Sequence, residues 1–431
     1  MKFELPRGMR DFDIDDYRYL NLIRKEFYDV AKIFNYKSTE PSTIELLSTL
    51  EAKSGPSIIN EVYEFQDKGN RNVSLRYDLT VGLTRYATSR RDLKIPIKLS
   101  SFGGVWRYDE PQAGRYRYFH QWDIELYDNF SLESDADIIE FVSVFLKKIG
   151  LNDYVTINIS DRRILEEFIS KKKIPSNKSN PQDTIDEYFR AIDKIPKKGI
   201  AKVCDEYKNK LDENILKESE EIFSLSGNAK DIFSNNKLNN LTSFESLKKL
   251  INSLESRNIS NVSINLGIVR GLDYYSGMVF EVFDTLNPSL GSLIGGGRYD
   301  KLPSIFGRGD LGAVGAAGGV ERIMLSMKNH NLLPESDRKL IYVVCTSPNL
   351  KKHVVKIVSQ LRSNDIPTDY DIGNKPFKKQ LNEASKYSLI TVIIAEKEIN
   401  QNQVIIKDMK TGEESLILAG ELSKKILSYT N

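Results

Sequence analysis

The chain has 431 residues, a length that predicts two to four domains. Its content of 40% apolar and 28% charged residues excludes a wholly disordered chain and a collagen-like repeat, and no apolar run is long enough for a membrane-spanning helix. The net charge of +2 is too small to indicate a nucleic-acid-binding protein by itself.

The beginning of the chain and its sparse cysteines predict a cytoplasmic protein. No apolar signal segment follows the first methionine, and Cys204 and Cys345 are the only cysteines. We therefore expect a reducing compartment, with neither a disulfide scaffold nor a cysteine-based zinc site. Because the sequence has only three histidines, a histidine-rich metal site is not expected either.

The first predicted elements lie in residues 1–160. Apolar residues recur about every 3.6 positions around Asp15–Phe34, which predicts an amphipathic helix. We interpret the segment around Asp78 and Thr80 as extended, with both side chains on one face. There they could receive an ammonium group, or they could belong to an ordinary surface strand. Two aromatic-rich, alternating runs in Phe102–Glu125 flank a centre with proline and glycine, which predicts a β-hairpin with a long tip.

The second strand of this hairpin carries an unusual set of polar side chains. A period of two residues places one group on a single face: Arg117, Phe119, Gln121, Asp123 and Glu125. Because unpaired buried charge is costly, this face either meets solvent or lines a polar ligand site. Guanidinium groups bind phosphate through paired hydrogen bonds and keep their charge, and three surround the hairpin loop: Arg107, Arg115 and Arg117. Beside aromatic rings they suggest a nucleoside triphosphate; solvated surface arginines are the alternative.

Residues 161–258 differ in composition from both neighbouring segments. They contain only two of the 26 glycines and have helix-like runs at Arg163–Lys172 and Asn214–Phe223. We interpret them as a helical insertion that divides one domain into residues 1–160 and 259–331. Their run Lys171–Lys173 is either a solvated face or a contact for an RNA backbone.

Two further windows follow the insertion. The first contains the letters RGLDYY, in which Tyr274 and Tyr275 point opposite ways if the segment is extended, so that one can be buried and the other can meet a ligand. The second, Gly291–Arg322, is rich in glycine but lacks a P-loop and the spacing of a Rossmann turn. Its glycines therefore predict strands and a helix, Val320–Met327, packed closely beneath a site.

Residues 332–431 predict a small α/β domain, because short apolar strands alternate with amphipathic helices. The predicted strands are Leu340–Cys345, Leu389–Ala395 and Val404–Lys407, and the predicted helices are Asn349–Leu361 and Leu422–Tyr429. Residues 338–431 hold 15 Lys/Arg and 10 Asp/Glu, a net charge of +5, which leaves −3 for the rest of the chain. A basic module suits a polyanionic partner, although surface charge that serves solubility explains the same count.

Together these windows resemble the class II aminoacyl-tRNA synthetases and, within them, the histidyl-tRNA synthetases, in the same order over nearly the whole chain. The helix before Pro41 and the strand around it resemble motif 1, which builds the dimer interface in that family. The other matches are Pro6–Phe12 to the N-terminal signature, Trp106–Glu125 to motif 2, Arg270–Tyr275 to the histidine-specific motif, and Gly318–Arg322 to motif 3.

The resemblance implies a fold and an activity. The fold is an α+β catalytic core with an antiparallel sheet flanked by helices, interrupted by the helical insertion and followed by a C-terminal α/β anticodon-binding domain at 332–431. The implied activity is ATP-dependent activation of L-histidine to histidyl-adenylate and transfer to the 3′ end of tRNA(His) by a homodimer. The family uses Mg²⁺ with the ATP phosphates, and we expect no protein-bound zinc.

The resemblance also implies roles for individual residues. Arg107 and Arg270 match the positions that act on the reacting phosphate and are the catalytic candidates. The histidine-binding set is Asp78, Thr80, Arg107, Gln121, Glu125, Arg270, Tyr274 and Tyr275. The ATP-binding set is Arg107, Asp109, Arg115, Phe119 and Arg322. Gln112, in the hairpin tip, matches a position near the tRNA acceptor end, beside Glu110, where some members carry a basic residue.

Two other functions are compatible with parts of the sequence. A catalytically inactive relative that regulates ATP phosphoribosyltransferase typically lacks the anticodon-binding domain and loses active-site residues. Here the basic C-terminal module is present, and Arg107, Arg270 and Arg322 are retained. Another class II synthetase with a similar C-terminal domain would have to account for the histidine-specific RGLDYY segment.

Overall fold

The computed structural model describes residues 4–108, 116–172, 181–268, 275–334 and 340–430. The chain forms two compact units, Met1–Leu333 and Pro334–Asn431. The finer division of the first unit, at residues 160, 258 and 331, stays a prediction. Within the ranges given above, no helix combines the length and the apolar character needed to span a membrane.

The first unit mixes strands and helices along its whole length. Its strands are β1 (Lys37–Ser38), β2 (Ile44–Leu46), β3 (Glu64–Gln66), β4 (Asn72–Leu75), β5 (Ile97–Trp106), β6 (Tyr118–Asp128), β7 (Val155–Asp161), β8 (Ser226–Gly227), β9 (Val262–Asn265), β10 (Met278–Asp284), β11 (Ser292–Arg298) and β12 (Gly312–Gly319). Its helices are α1 (Ile14–Ile33), α2 (Leu47–Ser54), α3 (Thr80–Ser89), α4 (Leu132–Lys148), α5 (Arg162–Ser170), α6 (Pro181–Lys198), α7 (Ile200–Tyr207), α8 (Glu213–Phe223), α9 (Ala229–Phe233), α10 (Thr242–Ser256), α11 (Lys301–Ile305) and α12 (Val320–Asn329).

A large sheet organises this unit. Among the described residues it contains nine strands in the order β1–β5–β6–β12–β11–β10–β7–β9–β8. The central neighbours from β5 to β7 are antiparallel. Strand β1 is parallel to β5 and β9 is parallel to β7, whereas β8 joins β9 in antiparallel fashion. Strands β2, β4 and β3 form a separate antiparallel sheet. The hairpin predicted in Phe102–Glu125 is β5 paired with β6.

Strand β6 separates the core from the polar face of the sheet. Its alternate residues Trp122 and Ile124 lie in the main hydrophobic core. The Trp122 ring packs 5.4 Å from Phe27 on α1 and 5.1 Å from Phe145 on α4, measured between ring centroids. Because neighbouring residues of a strand point to opposite faces, the polar side chains between them face away from these helices. One face of the sheet is therefore closed by helices, and the other is available for a site.

The stretch between β7 and β9 is mainly helical, and it contains α5 to α10 with the short strand β8. The helices are amphipathic and bury their apolar sides against one another; α5, for example, buries Leu165 and Phe168. Of the predicted basic run, Lys171 lies 2.9 Å from Glu167, and Lys172 forms an ion pair with Glu218. Neither contact tests the alternative of an RNA backbone contact.

A buried arginine joins β11 to α4. Arg298 Nη2 lies 2.7 Å from Asp135 Oδ1, and Nη1 lies 3.2 Å from Asp300 Oδ1. Arg298 Nη2 also donates to the Ser131 backbone carbonyl at 2.7 Å. Burial raises the pKa of Asp135 to about 6, although the guanidinium group acts in the opposite direction. The arginine thus keeps a carboxylate charged in a position where burial alone would favour its neutral form.

The second unit is a smaller α/β structure. Its strands are β13 (Ile341–Cys345), β14 (Thr368–Tyr370), β15 (Ile390–Ile394), β16 (Gln403–Asp408) and β17 (Glu414–Leu418). Its helices are α13 (Lys351–Arg362), α14 (Phe377–Tyr387), α15 (Glu396–Asn400) and α16 (Leu422–Thr430). The strand order is β14–β13–β15–β16–β17, with β13 parallel to both of its neighbours and the remaining pairs antiparallel. This arrangement matches the predicted alternation of short strands and helices.

Candidate functional site

A cavity of about 470 Å³ lies on the polar side of the large sheet. Its walls contain eight of the residues selected from the sequence: Asp78, Thr80, Arg107, Phe119, Gln121, Glu125, Tyr275 and Arg322. They come from segments separated by as many as 244 positions, from residue 78 to residue 322. The remaining residues of the catalytic, substrate-binding and acceptor-end sets lie outside the described residues: Asp109, Gln112, Arg115, Arg270 and Tyr274.

The prediction for the segment around Asp78 and Thr80 was wrong in its local structure. Thr80 is the first residue of α3, and it is not part of an extended segment. Asp78 Oδ1 accepts a hydrogen bond from the Val81 backbone N–H at 3.2 Å, which satisfies one of the open donors at the start of the helix. Both side chains still reach the cavity, because the chain enters the helix at its wall.

Arg117 also departs from the prediction that placed it on the polar face of the hairpin. It precedes β6, and its guanidinium carbon lies 4.0 Å from the centroid of the Tyr108 ring. It is not among the residues that line the cavity. Of the three arginines that surround the hairpin loop, Arg107 is therefore the one that the described structure places at the cavity.

A hydrogen-bonded network joins the polar side chains of the wall. Asp123 accepts from Gln121 Nε2 at 2.7 Å and from Thr80 Oγ1 at 2.9 Å. The Gln121 amide oxygen in turn accepts from Arg107 Nη2 at 3.3 Å, and Arg107 Nε donates to the Tyr77 backbone carbonyl at 2.9 Å. The network holds carboxylate, amide and guanidinium groups in fixed directions at one end of the cavity.

Glu125 forms a second polar centre deeper in the wall. It is almost completely buried and accepts a hydrogen bond from the Tyr299 hydroxyl. Burial, followed by the nearby charge of Asp123, raises the pKa of Glu125 well above its usual range. A buried carboxyl group next to a phenol offers both an acceptor and a donor to a planar, polar ring.

Glycine at position 315 leaves the space that Glu125 occupies. The two residues face each other on β12 and β6, and a Cβ at Gly315 would lie 1.7 Å from Glu125 Oε2. We predict that Gly315→Ala lowers the free energy of unfolding by roughly 1–3 kcal/mol and displaces the carboxylate. Urea denaturation measures the first effect. Gly309→Ala is the control, since its Cβ would meet only Ser304 Oγ, at 3.5 Å; an equal loss in both variants would contradict the prediction.

The carboxylate of Asp123 makes stability depend on pH. Burial raises its pKa to about 7, even though the hydrogen bonds from Gln121 and Thr80 favour its charged form. An unfolded aspartate titrates near 4, so between these values the folded chain binds more protons and its stability falls as pH rises. We predict that Asp123→Asn gains roughly 2–3 kcal/mol relative to the parent between pH 5 and pH 8. Urea denaturation at several pH values tests this; a difference between the two proteins that does not change with pH would contradict it.

The cavity wall also contains an aromatic ring and a second arginine. The Arg107 guanidinium carbon lies 5.2 Å from the centroid of the Phe119 ring. Arg322, near the start of α12, donates from Nη1 to the Ser292 backbone carbonyl at 3.0 Å. Its neighbour Glu321 accepts from the His120 backbone N–H at 3.0 Å. A ring and a fixed guanidinium plane are groups on which a nucleobase can stack.

Some residues of the cavity were not predicted as site residues. Lys53 on α2 forms a 2.6 Å ion pair with Asp78. In the sequence it is only a lysine near the end of a short helical run, which does not indicate a role in a site. Tyr299 follows β11, and Glu281 lies on β10. Tyr299 could have been noticed because it stands in the glycine-dense window, where glycines leave room for large neighbours.

The described residues contain no group of three or more His, Cys, Asp or Glu side chains that could hold a metal ion.

Comparisons with known protein families and sequences give matches to both units of the chain. A family model described as histidyl-tRNA synthetase matches residues 8–323, and a model described as anticodon binding domain matches residues 340–429. The histidine–tRNA ligase of Pyrococcus furiosus is 32% identical over 431 residues, covering 96% of each chain. That of Methanococcus aeolicus is 34% identical over 430 residues, covering 98% of this chain and 99% of the relative.

Solved structures show the same fold. The histidyl-tRNA synthetase of a Nostoc species aligns over all of both chains with a TM-score of 0.81 and 23% identity. An ATP phosphoribosyltransferase regulatory subunit/histidyl-tRNA synthetase from Bacillus halodurans covers 92% of this chain and 99% of its own, with a TM-score of 0.73 and 20% identity. Both likenesses confirm the predicted fold class of a class II core with a C-terminal α/β unit. Because the family model spans most of the chain and full-length relatives exceed 30% identity, the chain belongs to the histidyl-tRNA synthetase family.

Proposed function

We propose that this chain activates L-histidine with ATP to form histidyl-adenylate and pyrophosphate, and then transfers the histidyl group to the 3′ end of tRNA(His). The observation that carries this proposal is the position of Arg107. It contacts Gln121, from the set that matches histidine-binding positions, and its guanidinium group lies against Phe119, from the set that matches ATP-binding positions. One arginine at this junction can bind the carboxylate of histidine and the α-phosphate of ATP together.

The polar wall suits histidine as the amino acid. The neutral imidazole ring carries one donor and one acceptor. Glu125 and Tyr275 line the cavity and are the groups proposed to contact the two ring nitrogens. Asp78, Thr80 and Gln121 are proposed to hold the α-amino group, because all three line the same cavity and carry oxygens that can accept hydrogen bonds from an ammonium group.

The first step needs electrostatic stabilisation and not a general base. The carboxylate of histidine is already ionised near neutral pH, so it can attack the α-phosphorus directly. Pyrophosphate leaves on the opposite side as the new bond forms, and negative charge grows on the α-phosphate oxygens. Arg107 is proposed to stabilise that charge from one side, and Arg270, which lies outside the described residues, from the other.

The ATP end of the cavity supports the remaining assignments. Phe119 and Arg322 are proposed to enclose the adenine ring, since both line the same cavity. Asp109 is proposed to contact the adenine edge, and Arg115 the outer phosphates. When bound, Mg²⁺ supplies positive charge to the β- and γ-phosphates.

The partners of the reaction follow from the family. The basic unit that matches an anticodon-binding model is proposed to bind the anticodon arm of tRNA(His), and Gln112 is proposed to lie near its acceptor end. We further propose a homodimer built through the segment before Pro41, a cytoplasmic location, and a helical insertion at 161–258 between the two parts of the core. The regulatory-subunit alternative is less favoured, because the anticodon-binding module is present.

Pyrophosphate exchange tests the proposed activity. The full chain is incubated with ATP, labelled pyrophosphate and each standard amino acid in turn. We expect exchange with histidine and none above background with the others. Exchange with a different amino acid, and none with histidine, would overturn the assignment. Charging of tRNA(His) by the full chain then tests the second step.

A further inference from the structure

The cavity contains an ammonium group that belongs to the protein. Lys53, the penultimate residue of α2, lines the cavity, and its Nζ lies 2.6 Å from Asp78 Oδ2. The other carboxylate oxygen of Asp78 accepts from the Val81 backbone N–H at 3.2 Å. Burial acts to lower the pKa of Lys53, but the carboxylate of Asp78 outweighs it and holds that pKa above its usual value. Both oxygens of Asp78 are thus engaged within the protein.

The neighbouring acceptors are engaged in the same way. Asp123 accepts from Thr80 at 2.9 Å and from Gln121 at 2.7 Å, and the Gln121 amide oxygen accepts from Arg107. A substrate ammonium group that binds Asp78 would therefore meet the Lys53 ammonium at the same carboxylate. Two positive charges a few ångströms apart in a partly buried site repel each other strongly. Binding of the substrate ammonium group at Asp78 therefore favours displacement of Lys53 from that carboxylate.

The surroundings of Lys53 allow its side chain to withdraw. Helix α2 is anchored by Leu47 and Leu50 in a small hydrophobic cluster that includes Tyr77, and Lys53 Nζ lies 5.8 Å from the centroid of the Tyr77 ring. The helix ends at Gly55, whose φ of +72° lies in the left-handed region and whose Cβ position has no heavy atom within 4 Å. The side chain of Lys53 is already 14% exposed. A positive charge in the last helical turn is also favoured by the helix dipole, so a withdrawn ammonium group remains stabilised.

We infer that Lys53 competes with the α-ammonium group of the amino acid for Asp78 and thereby sets the affinity of the pocket for its substrate. This inference rests on the proposed function, because it takes the ligand to be an amino acid bound through its α-ammonium group. In the ligand-free chain the positive charge of Lys53 compensates the negative charge of Asp78. Part of the favourable free energy of substrate binding is therefore used to displace that lysine. Removal of the lysine leaves a buried carboxylate that a substrate ammonium can pair without competition.

Two histidine analogues separate this role from a purely structural one. Histidinol keeps the ammonium group, whereas imidazole-lactate has a hydroxyl group in its place. In calorimetric titrations of the full chain, we expect Lys53→Met to bind histidinol about tenfold more tightly than the parent does. The same variant should bind imidazole-lactate no more tightly. Its ligand-free form should unfold at a lower urea concentration, because Asp78 has lost its partner. Weaker unliganded stability together with tighter binding is a pair of effects that general damage to the pocket does not produce.

Matched variants complete the experiment. Lys53→Arg keeps the charge and should bind histidinol as the parent does. Lys98→Met removes a partly buried lysine that lies 2.8 Å from Asp137, away from the cavity, and should lower stability without changing the affinity for histidinol. Lys53→Gln provides a second neutral side chain if Lys53→Met does not fold.

The outcomes of the two proposals are distinguishable. If the parent shows no histidine-dependent pyrophosphate exchange, the proposed function is overturned. Normal exchange in the parent, with histidinol bound equally or more weakly by the folded neutral variants, would overturn the competition at Asp78 alone.

Discussion

Replacing Arg107 by alanine is expected to lower the rate of histidyl-adenylate formation by about 10²–10³-fold. The guanidinium group is fixed by its bond to the Tyr77 carbonyl and contacts Gln121 and the Phe119 ring, so it is oriented before the charge develops. Its proposed role is strongest in the transition state, where negative charge on the α-phosphate is greatest. We therefore expect a large fall in the single-turnover rate and a smaller change in the KM for histidine.

Two further variants make this result interpretable. Arg107→Lys keeps the positive charge but loses the planar fork, so it should recover only part of the rate. Arg90→Ala removes an exposed arginine that pairs with Asp92 on the surface, and it should leave the rate unchanged. A single-turnover rate for Arg107→Ala within a few-fold of the parent would show that another group carries the proposed function of Arg107.

Replacing Arg298 by alanine is expected to cost about 3–5 kcal/mol of unfolding free energy. The change removes the partner of Asp135 in a position where both side chains are only 6% exposed. It also removes the donor to the Ser131 carbonyl and the contact with Asp300. The cost arises mainly from leaving a buried carboxylate without a compensating charge, and less from the net strength of the pair.

The pH dependence provides a check on that cause. Asp135 has a pKa of about 6 with Arg298 present, and loss of the arginine should raise it further. Protonation then relieves part of the cost, so the loss in stability should be smaller at pH 5 than at pH 8. The double variant Arg298→Ala with Asp135→Asn should recover stability relative to Arg298→Ala alone. A loss that is equal at both pH values, with no recovery, would point to lost packing.

Much of the fold could be predicted because its signals are local. The alternation in β6 separates Trp122 and Ile124 from the polar residues Gln121 and Glu125, and the period of two is visible in the sequence itself. The amphipathic helix α1 and the alternation of strands and helices in the second unit are signals of the same kind. The order of the nine strands among the described residues is not a local signal, because it pairs strands that lie far apart in the sequence.

The site features that the sequence did not predict correctly also depend on contacts between distant parts of the chain or on ambiguous local patterns. The helix that starts at Thr80 was missed because an aspartate two residues earlier is common both before helices and in loops. The bond between Tyr299 and Glu125 joins residues 174 positions apart, so no local pattern contains it. The ion pair of Lys53 with Asp78 depends on how a short helix packs beside the sheet. Sequence patterns identified side chains of the right chemistry, whereas their partners depend on tertiary structure.

The pairing of β6 with β12 has a consequence for the order in which the protein is made. Because β12 begins at Gly312, a nascent chain carries β6 and its buried carboxylates long before the strand that covers them leaves the ribosome. During that interval α5 to α10 are synthesised, and they can pack through their own local contacts. A chain truncated before Gly312 therefore lacks the part of the cavity wall that β12 and α12 supply, and it exposes an unpaired strand edge, which is a site for aggregation. A stop codon before the Gly312 codon would thus yield a chain prone to self-association and not a smaller, partly active enzyme.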